Sequence, residues 1–203
     1  MRPKAIIFDV GGVLIRTQSR AGREKWAARL GLDSWDFENI VFNSESGKQA
    51  EAGQKSGEAH WRGLGHHFGL DASALVQMRS DFFAGDVLNE ALVAQAVRLR
   101  GAGYRIALLS NYADNARQFW AEQYSFVHHF SPVVISAEVG VVKPNPQIYQ
   151  VVLARLGIKA EDALFIDDFE KNIIGARQVG LQTIRFVEPE EAQRQLAAIT
   201  GVS

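Results

Sequence analysis

The chain has 203 residues, 22 lysines and arginines against 23 aspartates and glutamates, and no cysteine. That length can bury a sizeable core, and the even charge balance argues against a nucleic-acid or membrane-surface partner. The missing thiols exclude disulfides, thiolate metal sites and a cysteine nucleophile. No apolar run is long enough to span a bilayer, and the first residues, "MRPKAIIFDVGG", lack the long apolar stretch and cleavage site of an export signal. A cytoplasmic protein is therefore expected.

In chain order, residues 5–10 read as a buried strand, continuously apolar except for Asp9, with Gly11 and Gly12 following. Residues 16–86 carry helical patterns at 21–30, 35–42, 58–68 and 72–83, each with a Trp, Phe or Leu stripe, and no strand pattern. They read as a helical cap inserted into a core made of residues 1–15 and 87–203, with Trp26, Trp35 and Trp61 as cap core. A helix at 89–100 stops at "GAG", and strands follow at 104–109 and 132–136. The helix at 147–156 stands behind Pro144 and Pro146, with Pro144 read as its opener. A strand at 163–166, a helix at 172–179, a strand at 182–187 and a helix at 188–198 complete the chain. Strands alternating with helices imply an α/β fold, a parallel sheet covered on both faces.

In such a sheet ligands bind beyond the carboxyl ends of the strands. Those ends carry Asp9, then Ser110 and Asn111, then Ser136 and Glu138, then Asp167 and Asp168, with Lys143 before "PNPQIY". Three carboxylates gathered without a cation would repel, and an unpaired buried charge is expensive. A divalent ion resolves the conflict, and all-oxygen ligation suits Mg²⁺, which keeps waters and is completed by a substrate phosphate. Lys143 and the Ser110 hydroxyl then read as phosphate partners, and Asp9 is free to attack phosphorus. Each signal also has a structural reading: "SN" is a common turn pair, and Asp168 is placed to cap the following helix and meet Asn172.

Four ordered motifs, "FDVGGVL", "LLSN", "VVKPNPQIY" and "FIDDFEKNIIGA", resemble those of the haloacid-dehalogenase-like (HAD) hydrolase superfamily, and the likeness covers essentially the whole chain. The resemblance implies a Rossmann-like core with a cap inserted after the first strand. It also implies Asp9 as nucleophile and metal ligand, Ser110 and Asn111 holding the transferring phosphoryl group, and Lys143 neutralising it. Mg²⁺ would be bound by Asp9 and Asp168 directly, by Asp167 through water and by the Gly11 carbonyl. The stretch around "ISAEVGVVKPNPQIYQVVL" is similar to a subgroup of bacterial sugar-1-phosphate phosphatases and the phosphatase domain of soluble epoxide hydrolases. A small phosphorylated metabolite is the substrate so implied, and none of these motifs sets the oligomeric state.

One position departs from that pattern. Phosphatases of the superfamily carry a second Asp two residues after the nucleophile as acid and base; here it is Gly11. General acid–base catalysis is worth about 10²–10⁴ in rate, so its loss is survivable and favours esters with good leaving groups. Gly11 also fits a 2-haloacid dehalogenase, whose halide needs no proton, or a weakly catalytic protein that binds a phosphorylated ligand or a partner. The paired acids at 167 and 168 favour the phosphatase over the dehalogenase. His60, His66 and His67 in the cap are candidates to replace the acid, and Arg16 and Thr17 are substrate-contact candidates beside the hinge.

Overall fold

The computed structural model describes residues 2–202. From the N-terminus, β1 (Ala5–Phe8) leads through β2 (Ile15–Thr17) into five helices. These are α1 (Ala21–Leu30), α2 (Ser34–Asn43), α3 (Glu45–Glu51), α4 (Gly57–His67) and α5 (Ala72–Phe83). The chain returns through β3 (Asp86–Leu88) to α6 (Glu90–Gly101), β4 (Arg105–Ser110), α7 (Ala116–Gln123), β5 (Val133–Ile135) and α8 (Ser136–Val139). It ends with α9 (Pro146–Leu156), β6 (Ala163–Asp167), α10 (Glu170–Val179), β7 (Gln182–Arg185) and α11 (Pro189–Thr200). Among the described residues no helix is long and apolar enough to cross a membrane.

Five strands form a wholly parallel sheet in the order β5-β4-β1-β6-β7, the Rossmann-like arrangement with a helical insertion after its first strand. β1 is central and buried on both faces, which is why "AIIF" shows no polar alternation. Ile6 and Phe8 pack with residues of α6, α7 and α11 on one side, while Ala5 and Ile7 pack with those of α9 and α10 on the other. Each large side chain so buried contributes about 1.5–3 kcal/mol. The register sets the functional edge. Phe8 is level with Leu108 of β4 and Ile166 of β6, so Asp9 and Asp167 emerge side by side, with Ser110 at the end of the neighbouring strand.

The insertion has a core of its own, built from Trp26, Phe37, Trp61, Met78 and Phe82. Its later helices are started by side chains that bond the first turn: Asp33 to Trp35 N, Ser44 to Gly47 N, Ser56 to Ala59 N and Asp71 to Ala74 N. Trp35 is not part of that core, being 63% exposed with the Arg20 guanidinium 3.7 Å from its ring centre. Phe37 and Val41, four residues apart, define the buried face of α2, and a residue two positions from Phe37 points away from it.

A strand-free insertion was expected, yet it hangs from an antiparallel pair in which Ile15, Arg16 and Thr17 face Leu88, Val87 and Asp86. Three-residue strands leave too little alternation to read in the sequence. Arg16 lies over the Phe186 ring, and Thr17 bonds Asp86 at 2.6 Å, so both serve the hinge. The buried Arg23 joins the hinge to the cap, donating to Asp86, Thr17, Glu38 and the Phe82 carbonyl. Helices α3, α7 and α8 were also unread, and Pro146 rather than Pro144 opens α9, behind an Asn145 cap.

Candidate active site

Lys143 is the hub of the sheet edge. Its ammonium, almost fully buried, lies 2.8 Å from Asp9 Oδ1 and 2.7 Å from Asp167 Oδ2. Asp9 Oδ1 also accepts the Val10 N–H at 2.7 Å, so one carboxylate oxygen is held and Oδ2 has no hydrogen bond or ion pair among the described residues. Burial alone would lower the Lys143 pKa, but Asp9 and Asp167 outweigh it and hold the amine above its ordinary value. Burial raises Asp9 well above the usual carboxylate range; Lys143 opposes the rise, and Asp167 and Asp168 add to it.

Asp167 is the anchor of the group. Its oxygens accept from Lys143 Nζ, from Phe169 N at 2.8 Å and from Asn172 Nδ2 at 3.0 Å to each oxygen. The partner expected for Asn172 was Asp168, but the structure gives it to Asp167, one turn of α10 and a short loop away. That frees Asp168, whose Oδ1 is buried without a hydrogen-bond partner and whose pKa is pushed up to about 6, by burial first and by Asp167 second.

Ligand oxygens of Asp9, Asp167 and Asp168 all lie within 4.8 Å of one another. Three carboxylates against one lysine leave an excess of negative charge in a desolvated pocket, and the orphaned Asp168 oxygen points to a missing partner. A hard divalent cation such as Mg²⁺ fits that oxygen-only donor set.

The two glycines after Asp9 differ. Gly12 has φ +78°, and a Cβ there would stand 2.3 Å from an Asp168 carboxylate oxygen, so no other residue fits. At Gly11 a Cβ would meet nothing within 4 Å. The missing carboxylate thus leaves open space rather than relieving a steric demand.

Ser110 is buried at the end of β4. Asn111 clasps the lysine segment, accepting from Lys143 N at 2.8 Å and donating to Lys143 O at 3.1 Å. Its visible work is to position Lys143 rather than to present a free amide. Ser136, at the end of β5, accepts from Tyr112 N and donates to the Glu51 carbonyl of the cap at 2.6 Å. A second cap contact runs from Gly57 N to Asp114 at 2.8 Å. Phe169, 56% exposed, sits beside the carboxylates at the rim, with the Lys171 ammonium 5.5 Å from its ring centre.

The histidines do not join the group. His60 is buried in the cap with Nδ1 3.0 Å from Ser46 Oγ, and His66 and His67 are exposed at the end of α4. His128 and His129 lie in a 3₁₀ turn before β5, with ring centres 3.9 Å apart.

A model of the haloacid dehalogenase-like hydrolases matches residues 3–180. The chain belongs to that family. Within the family, it is 29% identical to bifunctional epoxide hydrolase 2 of Mus musculus over 80% of its own length, but spans only 29% of that relative. It is also 29% identical to a glyceraldehyde 3-phosphate phosphatase of Methanopyrus kandleri, covering 90% of this chain and 83% of the other. A HAD family enzyme from Bacteroides thetaiotaomicron, solved as a magnesium complex, has the same fold, with a TM-score of 0.80 and 24% identity over 97% of this chain and 99% of that one. The HAD motifs read from the sequence fall on Asp9, Ser110, Lys143 and Asp167-Asp168, which the fold gathers on one edge.

Of the supporting residues, Gly12 was given no role from the sequence, Ser136 was placed only at a strand end, and Asn172 was paired with Asp168 rather than Asp167. Asn172 had a signal in "DDFEKN", but assigning it required knowing which Asp faces inward. For Ser136 the strand-end position was legible but the link to the cap was not, because its partner is a backbone carbonyl of another segment.

Proposed function

We propose that this chain is a Mg²⁺-dependent phosphatase of a small phosphorylated metabolite, acting in the cytoplasm through a phosphoryl group carried on Asp9. The observation that carries this reading is the trio Asp9, Asp167 and Asp168, with Lys143 bridging the first two, both buried, and with one buried Asp168 oxygen unpaired. The phosphatase relative supports it, and a sugar phosphate is the first substrate class to test.

In this reading Asp9 Oδ2 attacks phosphorus, since Oδ1 is occupied by Val10 N and Lys143. Lys143 balances the charge of the transferring group, and the Ser110 hydroxyl binds one of its oxygens. Asn111 holds Lys143 in place and offers its remaining N–H to the same group. Asp9, Asp168 and the Gly11 carbonyl would bind Mg²⁺ directly, and Asp167 through water. When bound, the ion would neutralise charge on phosphate and on the carboxylates. Water then attacks phosphorus and breaks the P–O bond of the Asp9 acyl phosphate, releasing inorganic phosphate, and the cap excludes bulk solvent and sets substrate choice.

Hydrolysis of 4-nitrophenyl phosphate with added Mg²⁺ tests the proposal. Activity should vanish with a chelator and fall on the order of 10⁴-fold or more in Asp9→Asn. Halide release from a 2-haloacid that persists in chelator would replace it with the dehalogenase reading, which the open space at Gly11 favours. Saturable binding of phosphorylated metabolites without turnover would replace it with the binding-protein reading.

A further inference from the structure

Lys143 is held charged by Asp9 and Asp167, Asp167 is saturated with donors, Asp168 would be committed to the metal ion, and Gly11 has no side chain, so none of these core residues supplies a proton to a departing alkoxide. Helix α3 of the cap ends at the catalytic edge in Glu51, half-buried, its backbone carbonyl on the Ser136 hydroxyl and its carboxylate within the field of both Lys171 and Lys143.

We propose that Glu51 of the cap is the proton donor to the leaving oxygen, occupying in function the position that Gly11 leaves empty. The inference rests on the phosphatase reading.

The Glu51 backbone is fixed to the catalytic edge. Its carbonyl accepts the Ser136 hydroxyl, which is itself held by Tyr112 N in the segment after Ser110. Two residues on, Gly53 passes so close to α8 that a Cβ there would be 2.3 Å from the Ala137 carbonyl oxygen. These contacts set the end of α3, and with it Glu51, against the core.

Its environment suits an acid. Burial raises its pKa above that of an ordinary glutamate, while Lys171 and Lys143 oppose the rise. Its position in the last turn of α3, at the negative end of the helix dipole, also favours the protonated form. Other charged groups on the neighbouring elements are engaged: Glu138 of α8 pairs with Arg117, and His60 and Lys55 meet Ser46.

The step balances in both halves. Asp9 forms a bond to phosphorus as the ester P–O bond breaks, and the leaving oxygen takes the Glu51 proton to depart as an alcohol. Glu51, now a carboxylate, removes a proton from the attacking water. The P–O bond to Asp9 breaks, inorganic phosphate leaves, and both side chains return to their starting states.

The test compares 4-nitrophenyl, phenyl and benzyl phosphates, similar in shape but increasingly demanding of a proton. Glu51→Gln should lower kcat/KM for benzyl phosphate by about 10²–10⁴-fold and for 4-nitrophenyl phosphate by less than about tenfold. Gly11→Asp added to Glu51→Gln should restore benzyl phosphate hydrolysis. In the wild type the benzyl to 4-nitrophenyl rate ratio should fall as pH rises through the Glu51 pKa, and in Glu51→Gln it should not change with pH. An equal loss on all three esters, the mark of a merely structural role, or no loss at all, would overturn the assignment while activity dependent on Asp9 upheld the phosphatase reading. No Asp9-dependent hydrolysis of any ester by the wild type would overturn both.

Discussion

At the sheet edge, Asp167 accepts from three donors and Lys143 bridges two carboxylates, whereas the hydrogen bonds from the cap to that edge among the described residues are Ser136 to the Glu51 carbonyl and Gly57 N to Asp114. The cap keeps its own core around Trp26, Phe37 and Phe82 and hangs from three-residue strands. Strand register fixes the edge and makes it rigid, because moving one carboxylate would break several bonds at once. The cap also packs Phe83 against Phe119 of α7, ring centres 5.0 Å apart, and sets Gly53 against the Ala137 carbonyl, so it meets the core by surface contacts rather than by a shared core. The proposed function divides along the same line, with phosphate chemistry on the edge and proton delivery and substrate choice on the cap.

The largest expected effect of breaking that contrast is at its hub. Lys143→Ala leaves Asp9 and Asp167 buried and unpaired, and should destabilise the chelated protein by about 3–5 kcal/mol in urea unfolding. An equal removal of charge on the cap, at the exposed Lys25, should cost no more than about 1 kcal/mol. Comparable losses at the two sites would mean the edge is no more tightly coupled than the surface.

Next is the response to Mg²⁺. Asp168 has a folded pKa raised to about 6, so its contribution to the stability of chelated protein is fully present below its unfolded value. That contribution is lost as pH rises through the folded value. The chelated protein should thus lose stability as pH rises through about 6, while Mg²⁺, which needs the carboxylate, binds better. At a hundredfold excess over its dissociation constant the ion should add about 2.7 kcal/mol. Thermal unfolding with and without Mg²⁺ on either side of that pH checks the sign; an equal Mg²⁺ shift at both would contradict it.

Smallest, and sharpest in resolution, is the glycine pair. Gly12→Ala forces a Cβ onto the Asp168 carboxylate at positive φ and should cost about 1–3 kcal/mol. Gly11→Ala enters open space and should stay within about 0.5 kcal/mol. Similar costs would show that the turn, not the Asp168 contact, governs both positions.

The edge was legible because β1, β4 and β6 are uninterrupted apolar runs, each announcing a polar residue at its end, and parallel order then brings those ends together. The motifs needed no knowledge of the cap. What could not be read depends on contacts between distant segments. The hinge strands are too short for a period, Trp35 differs from Trp26 only in the face it takes, and Glu51 lies in a seven-residue helix with little amphipathic stripe. Asn172 shows the intermediate case: its closeness to the paired acids was visible, but the choice of Asp167 over Asp168 follows from the direction of a side chain at a strand end.

Acid-quench capture of the phosphorylated protein tests the central claim most directly. Wild-type protein mixed with Mg²⁺ and 4-nitrophenyl phosphate, stopped in acid and digested, should yield one phosphoryl group on the peptide containing Asp9, absent from Asp9→Asn. Turnover that continues in Asp9→Asn, with no phosphoryl group on that peptide in the wild type, would contradict the account.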